Sequence, residues 1–248
     1  MPGAAFWYKD WFNSPYYHLL YANRDDQEAA ALIDRLLDVL QPPKGSRMVD
    51  IACGRGRHAR ILSSRGYDVI GYDLSPVNIA YAKQFENEQL HFYEHDMRLP
   101  CWIHYFDYGF NLFTSFGYFR TDRENQDALR SFSQSLKTNG VLVIDYLNKI
   151  QAEHDLIDHS VSQIEGIEFD QNRYCDERYF YKKIRIQDPS LPEPIEFTER
   201  VAKYGIPEFE RMCNAIGLKI ESVFGDYQLD GFGPLISPRL ILIARKAS

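Results

Sequence analysis

Three carboxylates and two glycines are the residues of this chain whose types and spacing could do chemistry. Asp50 lies four residues before Gly54 in "VDIACGRGRHA" (residues 49–59), Asp73 sits in "VIGYDLSP", and Asp96 sits in "YEHDM". Gly54 and Gly56 carry no Cβ, so the chain can turn sharply there and a ligand can approach the backbone closely. Read with Ala59, the stretch fits G-x-G-x-x-G/A, the dinucleotide fingerprint. A carboxylate such as Asp73 at the end of a strand can accept both hydroxyl hydrogens of a ribose, a demand common to all adenosine cofactors. Asp96 could take an adenine amino group while Met97 packs on the ring face. A single Asp at a strand end is often only a turn residue. Three at successive strand ends, with a glycine loop between the first two, point to a ligand.

The elements that must position them follow from periodicity. Residues 26–40 place Ala29, Leu32, Ile33, Leu36, Leu37 and Leu40 at helical spacing, with Asp25 and Glu28 as a capping pair. "RMVDIA" reads as a buried strand, followed by a helix over about 57–65 that Gly66 closes. "YDVIGYD" is a second strand, and Ser75 and Pro76 start a helix through about Glu86. "LHFYEHD" and "DYGFNLFTSF" are the third and fourth strands, Asp122 opens another helix, and "GVLVIDYLN" is the fifth strand. This alternation implies parallel βαβ units with helices on both faces, and ligands of such sheets bind beside the carboxyl ends of the strands.

Residues 150–204 break the rhythm. "HSVSQIEGIEFD", "RYFYKKIRIQD" and "IEFTERVAKYG" read as strands separated by turns at "DQN" and "DPSLPEP", an antiparallel insertion. A helix from Pro207 to Gly217 and two final strands with no helix between them close the chain as an antiparallel hairpin. The expected fold is α/β: a doubly wound, mostly parallel seven-stranded sheet with an antiparallel terminal hairpin, plus the small β insertion.

Composition narrows the partners. Among 248 residues 45% are hydrophobic, 25% charged and 15% aromatic, an ordinary globular balance. The net charge of -7 argues against nucleic acid, which calls for a basic footprint. The four cysteines are scattered without a C-x-x-C pair, so neither a metal site nor a disulfide framework is expected and a reducing cytoplasm fits. No apolar run approaches the ~20 residues of a membrane span, and the N-terminal stretch lacks the features of a secretory signal.

The ligand follows from charge. A pyrophosphate cradle offers amide hydrogens and a positive helix terminus, and a carboxylate such as Asp50 beside it would repel. S-adenosylmethionine carries no phosphate, and its ammonium end suits Asp50. "VDIACGRGRHA", "VIGYDLSP", "YEHDM", the fourth-strand run and "NGVLVIDYL" together resemble the successive motifs of class I S-adenosylmethionine-dependent methyltransferases of the small-molecule type. That resemblance covers most of the chain outside residues 150–204.

The resemblance implies that Ala52 and Gly54, with Cys53 between them, line the methionine portion. Asp73 would hold the ribose, Leu74 would lie against adenine, Asp96 and Met97 would take the base, and Phe113 or Thr114 would lie under the sulfonium. Arg57 and His58 depart from the small residues usual near such a loop; they are read as solvent-facing, with no role assigned. The stretch "WYKDWFNSPYYHLLYANRD" is similar to segments that cover the cofactor, giving Tyr16, Tyr17 and Tyr21 as aromatic shields and Arg24 as a partner for the cofactor carboxylate. "FTSFGYF" replaces the Asn/Asp-Pro-Pro-aromatic motif of DNA- and glutamine-methylating members, so a small-molecule acceptor is expected, with Tyr118 and Asn148 facing it.

The expected organisation is a cofactor-binding domain over 1–149 and 205–248, its first 45 residues a helical cover, with 150–204 as a β lid over the acceptor. A monomer or homodimer, without membrane or nucleic-acid partners, would transfer methyl to an O, N or C nucleophile. The catalytic residue is not identified. An NAD(P)-dependent oxidoreductase and a non-catalytic S-adenosylmethionine-binding protein remain open alternatives.

Overall fold

The computed structural model describes residues 7–22 and 26–247. Two short helices, α1 (Trp7–Phe12) and α2 (Pro15–Leu20), precede α3 (Asp26–Leu40). Then come β1 (Arg47–Ile51), α4 (Arg57–Ser64), β2 (Asp68–Asp73), α5 (Pro76–Ala82), β3 (Leu90–Glu94), β4 (Phe106–Asn111), α6 (Asp122–Ser135) and β5 (Leu136–Leu147). The excursion carries α7 (Lys149–His154), β6 (His159–Ile164), β7 (Ile167–Cys175), β8 (Tyr179–Gln187) and β9 (Ile195–Ala202). The chain closes with α8 (Ile206–Asn214), β10 (Leu218–Phe224) and β11 (Arg239–Lys246).

The large sheet has seven strands in the order β10-β11-β5-β4-β1-β2-β3. Its first five chain-order strands pair in parallel, while β11 runs antiparallel to both β5 and β10. The expected architecture is the observed one. Local chemistry sets the helix starts: the Ser75 hydroxyl accepts the Asn78 N–H at 3.1 Å ahead of Pro76. Thr121 and Glu124 form a reciprocal capping box on α6. Asp25, expected to cap α3, lies outside the described residues.

Three local expectations need correction. β4 stops at Asn111 because Phe113 and Thr114 take φ of +57° and +56°, which a pleated strand cannot contain. The excursion begins with helix α7, whose N-cap is Asn148. The second sheet has four antiparallel strands, β6-β7-β8-β9, where three were expected. Its first turn is Glu165–Gly166, both with positive φ, whereas the "DQN" residues lie inside β7 and pair with β6 and β8.

Both sheets share one core. Trp11, Phe169, Ile184 and Ile186 are fully buried in the same cluster as Phe116, Tyr146 and Phe209. The opposite face of the large sheet packs Met48, Val69 and Phe110 against Leu32, Ile33, Leu36 and Leu62 of α3 and α4. Among the described residues no helix is long and apolar enough to cross a membrane.

Candidate functional site

A cavity of about 570 Å³ opens at the carboxyl ends of β1 to β4, bounded on another side by α1, α2 and β9. That volume lies within the ~300–1,000 Å³ typical of small-ligand sites. Its floor is built at the end of β1. Ala52 turns to φ +57°, the Cys53 N–H donates to the Tyr72 carbonyl at 2.9 Å, and Gly54 and Gly56 take φ of +55° and +79°. The two glycines serve different ends. A Cβ on Gly56 would collide with the Phe92 ring, whereas beyond Gly54 there is open space on the cavity side.

Asp73 is tied to that loop. One carboxylate oxygen accepts the Gly54 N–H at 2.9 Å and the other accepts the Ser75 N–H at 2.8 Å. Burial raises its pKa from the ordinary value, against the pull of these bonds. Asp50 is 2% exposed, accepts the Ala59 N–H at 3.0 Å, and is pushed by burial up to about 7. Asp96 is gripped by the Arg98 fork, with Oδ2 at 2.6 Å from Nη2 and Oδ1 at 3.0 Å from Nε. Burial works against its ionisation, yet Arg98 holds its carboxyl below the usual range.

The structure brings Asp50, Ala52, Cys53, Gly54, Asp73, Leu74, Asp96, Met97, Phe113, Thr114, Tyr118 and Tyr21 to this one cavity, together with Tyr17. Tyr16 is placed elsewhere: its hydroxyl donates to Asp188 at 2.7 Å and it is not among the lining residues. Asn148 is also spent on the fold. Its amide donates to the carbonyls of Pro234 and Ser237 at 2.8 Å each, and its carbonyl oxygen caps α7. Arg24 lies outside the described residues. Arg57 and His58 do not face solvent: both line the cavity, His58 buried with its ring 5.2 Å from Phe113 and the Arg57 guanidinium 4.7 Å over that same ring.

Sequence reasoning missed what holds Phe113 and Thr114. Asp145, fully buried on β5, accepts the Phe113 N–H at 2.9 Å and the Tyr227 hydroxyl at 3.1 Å on one oxygen. Its other oxygen takes Arg239 of β11, with Nε at 2.8 Å and Nη2 at 2.7 Å. The Thr114 N–H donates to the Asp145 carbonyl at 3.0 Å, and the Thr114 hydroxyl receives Arg239 at 2.9 Å. Asp145 ends the apolar run "VLVID" as Asp50 ends "MVD", and that parallel was the available signal.

The second missed residue is Glu199 on β9. It lines the cavity with Val201 and accepts the Trp11 indole N–H at 2.6 Å and the Tyr21 hydroxyl at 2.9 Å, stapling the N-terminal helices to the second sheet. β9 in turn is anchored where the Ala202 N–H donates to the Gly117 carbonyl at 2.9 Å. The available signal was its phase: in "IEFTERVA" Glu199 falls in line with Ile195, Phe197 and Val201, a carboxylate where the alternation calls for an apolar residue.

Residues 21–223 match the family model described as a methyltransferase domain. The dTDP-3-amino-3,4,6-trideoxy-alpha-D-glucopyranose N,N-dimethyltransferase of Streptomyces venezuelae is 31% identical over 132 residues, 52% of this chain and 54% of that protein. The match thus spans about half the length of that relative. Among solved structures, an S-adenosylmethionine-dependent methyltransferase from Clostridium acetobutylicum superposes with a TM-score of 0.78 at 15% identity, covering 94% of this chain and 96% of the other. The sugar N-methyltransferase KedS8 from Streptoalloteichus gives 0.72 at 21% identity, covering 94% and 93%. These likenesses bear on the fold, and the family model carries the assignment: the chain belongs to the methyltransferase-domain family.

Proposed function

We propose that the protein transfers a methyl group from S-adenosylmethionine to a small-molecule acceptor. The observation that carries this reading is the Asp73 carboxylate, fixed by the Gly54 and Ser75 N–H groups beside buried Asp50 at the mouth of the loop. The donor set fits a phosphate-free cofactor. Asp73 suits the ribose of any adenosine cofactor, and it is Asp50 beside the loop that would repel a pyrophosphate. The nearby arginines lie over rings, Arg55 on Tyr81 at 4.7 Å and Arg60 on Phe85 at 3.9 Å.

In this reading Asp50 and Gly54 receive the methionine end and Asp73 the ribose hydroxyls. Leu74, Asp96 and Met97 enclose the base. Phe113 and Thr114 form the seat beneath the sulfonium, and the faces of Tyr17 and Tyr21 shield it. S-adenosylmethionine supplies an activated methyl carbon on a positive sulfur. The chain therefore has to orient the nucleophile and exclude water, a proximity effect worth up to ~7–11 kcal/mol. The second sheet acts as the roof of the acceptor side, contributing Glu199 and Val201 to the wall. A cavity of small-ligand size and a net charge of -7 favour a small metabolite over nucleic acid, in a cytoplasmic monomer or homodimer. The Streptomyces and Streptoalloteichus relatives, named for amino-sugar and sugar N-methylation, make sugar-sized acceptors the first to try.

Calorimetry on the purified protein with S-adenosylmethionine, S-adenosylhomocysteine, NADH and NADPH tests the cofactor, and release of S-adenosylhomocysteine across a metabolite library tests turnover. Tighter binding of a nicotinamide cofactor would overturn the reading. Binding without turnover of any acceptor would favour a regulatory protein.

A further inference from the structure

Resting on the methyl-transfer reading of the cavity, we infer that the acceptor is an amine, received by the Glu199 oxygen that accepts no hydrogen bond from the described residues. The two hydrogen bonds that Glu199 accepts from described residues, from the Trp11 indole and the Tyr21 hydroxyl, both arrive at Oε1. No described residue donates to its second oxygen, and Glu199 lines the cavity. Lys182, its direct cross-strand neighbour, is engaged with Tyr21. That ammonium donates to the Tyr21 hydroxyl at 2.8 Å and lies 4.8 Å over the Tyr21 ring.

The surroundings narrow the occupant further. The cavity that Glu199 and Val201 line is rich in aromatic residues, Trp7, Phe12, Tyr17, Tyr21 and Tyr118, with Lys9 and His18 also on its α1 and α2 side. Glu199 is half-buried there, and a carboxylate partly shielded from water is best met by a hydrogen-bonding cation. Aromatic faces attract a cation and repel an anion. A carboxylic or phosphoric acceptor would face both penalties, and a neutral alcohol would relieve only one. An ammonium group satisfies the carboxylate and the ring faces together.

The position is also on the acceptor side. Asp50, Asp73 and Asp96 approach from the ends of β1, β2 and β3, whereas Glu199 comes from β9, which is anchored to Gly117, four residues beyond Phe113. An ammonium held there sheds one proton to solvent, and the neutral nitrogen then supplies the electron pair. The N–C bond forms as the C–S bond of the donor breaks, its electrons returning to sulfur. The products are the methylated ammonium and a neutral thioether.

The first test uses the unaltered protein. Release of S-adenosylhomocysteine is compared for matched acceptors: amino sugars against their parent sugars, and tyramine against 4-ethylphenol. Binding of choline and of its neutral isostere 3,3-dimethyl-1-butanol to the S-adenosylhomocysteine complex is measured by calorimetry. Amines should be methylated in preference to hydroxyl partners, and choline should bind at least tenfold more tightly than the isostere. Glu199→Gln keeps a carbonyl for Trp11 and Tyr21 but replaces the second oxygen with an NH₂ donor. It should raise the amine KM at least tenfold and leave the S-adenosylhomocysteine Kd within twofold. Methylation of hydroxyl acceptors without amines, equal binding of choline and the isostere, or an unchanged amine KM in Glu199→Gln would overturn the inference. No binding of S-adenosylmethionine at all would overturn the underlying reading as well.

Discussion

Replacing Asp145 with Asn should cost the fold about 3–5 kcal/mol, the usual loss when one member of a buried ion pair is removed. Asp145 is 0% exposed, and each of its oxygens already serves donors: Arg239 on one, the Phe113 N–H and the Tyr227 hydroxyl on the other. An Asn offers a single acceptor oxygen. With its NH₂ toward Arg239 it sets donor against guanidinium; turned the other way, it leaves two buried donors unmet, at ~1–3 kcal/mol each. For a chain of this length the loss corresponds to a fall in melting temperature of roughly 6–20 °C, read by circular dichroism. Arg239→Met should cost a similar amount, and the double variant should cost clearly less than the sum, because both charges are then gone. The same variant tests the seat of the site. Phe113 and Thr114 hold left-handed conformations that cost ~1–3 kcal/mol each without support, so folded Asp145→Asn should bind S-adenosylhomocysteine at least tenfold more weakly. Single variants each below about 1 kcal/mol and strictly additive would refute the buried-pair reasoning.

Three further outcomes follow from the same geometry. Asp73→Ala removes the acceptor for the Gly54 and Ser75 N–H groups, so S-adenosylhomocysteine affinity should fall at least tenfold in a protein whose far-ultraviolet dichroism is unchanged; an unaltered Kd would take Asp73 out of the site. Burial lifts the Asp50 carboxyl from 3.8 to about 7, so the folded state keeps its proton where the unfolded chain has lost it. Stability from this group is full at acid pH and is lost as pH rises through about 7, and Asp50→Asn should flatten that part of the melting profile; identical profiles would contradict it. Gly117→Ala puts a Cβ against the Tyr146 hydroxyl at φ +81°, at the point where β9 is anchored. It should raise the acceptor KM more than the S-adenosylhomocysteine Kd, and an equal rise in both would separate the second sheet from the acceptor side.

What was legible from the chain and what was not divides by the range of the interaction. The Ser75–Pro76 helix start and the left-handed Gly54 and Gly56 depend on neighbours a few residues away, and so they could be read locally. Asp50, Asp73 and Asp96 were legible because parallel βαβ units bring successive strand ends to one rim whatever the rest of the chain does. Phe113 and Thr114 were placed under the ligand by resemblance, but their backbone was misread as strand. No residue type announces a left-handed Thr, and the conformation persists because Asp145 and Arg239, from two later strands, supply its hydrogen bonds. The "DQN" turn failed in the opposite direction. Its composition is that of a turn, yet pairing on both sides with β6 and β8 outweighs local preference, and the turn falls to Gly166. Arg57 and His58 were within reach of a helical reading, since the first turn after Gly56 must pass the cavity that Gly54 opens. Glu199 was only half legible. It takes the place of an apolar residue in line with Ile195, Phe197 and Val201, but what turns it into a wall of the cavity is the seating of Ala202 on Gly117 and the donors of Trp11 and Tyr21. Those donors come from the opposite end of the chain. The wall of this cavity built at the ends of β1 to β3 is therefore written in local signals and sheet topology, whereas the wall that β9 contributes is assembled from segments distant in sequence, which is why the first could be read before the second.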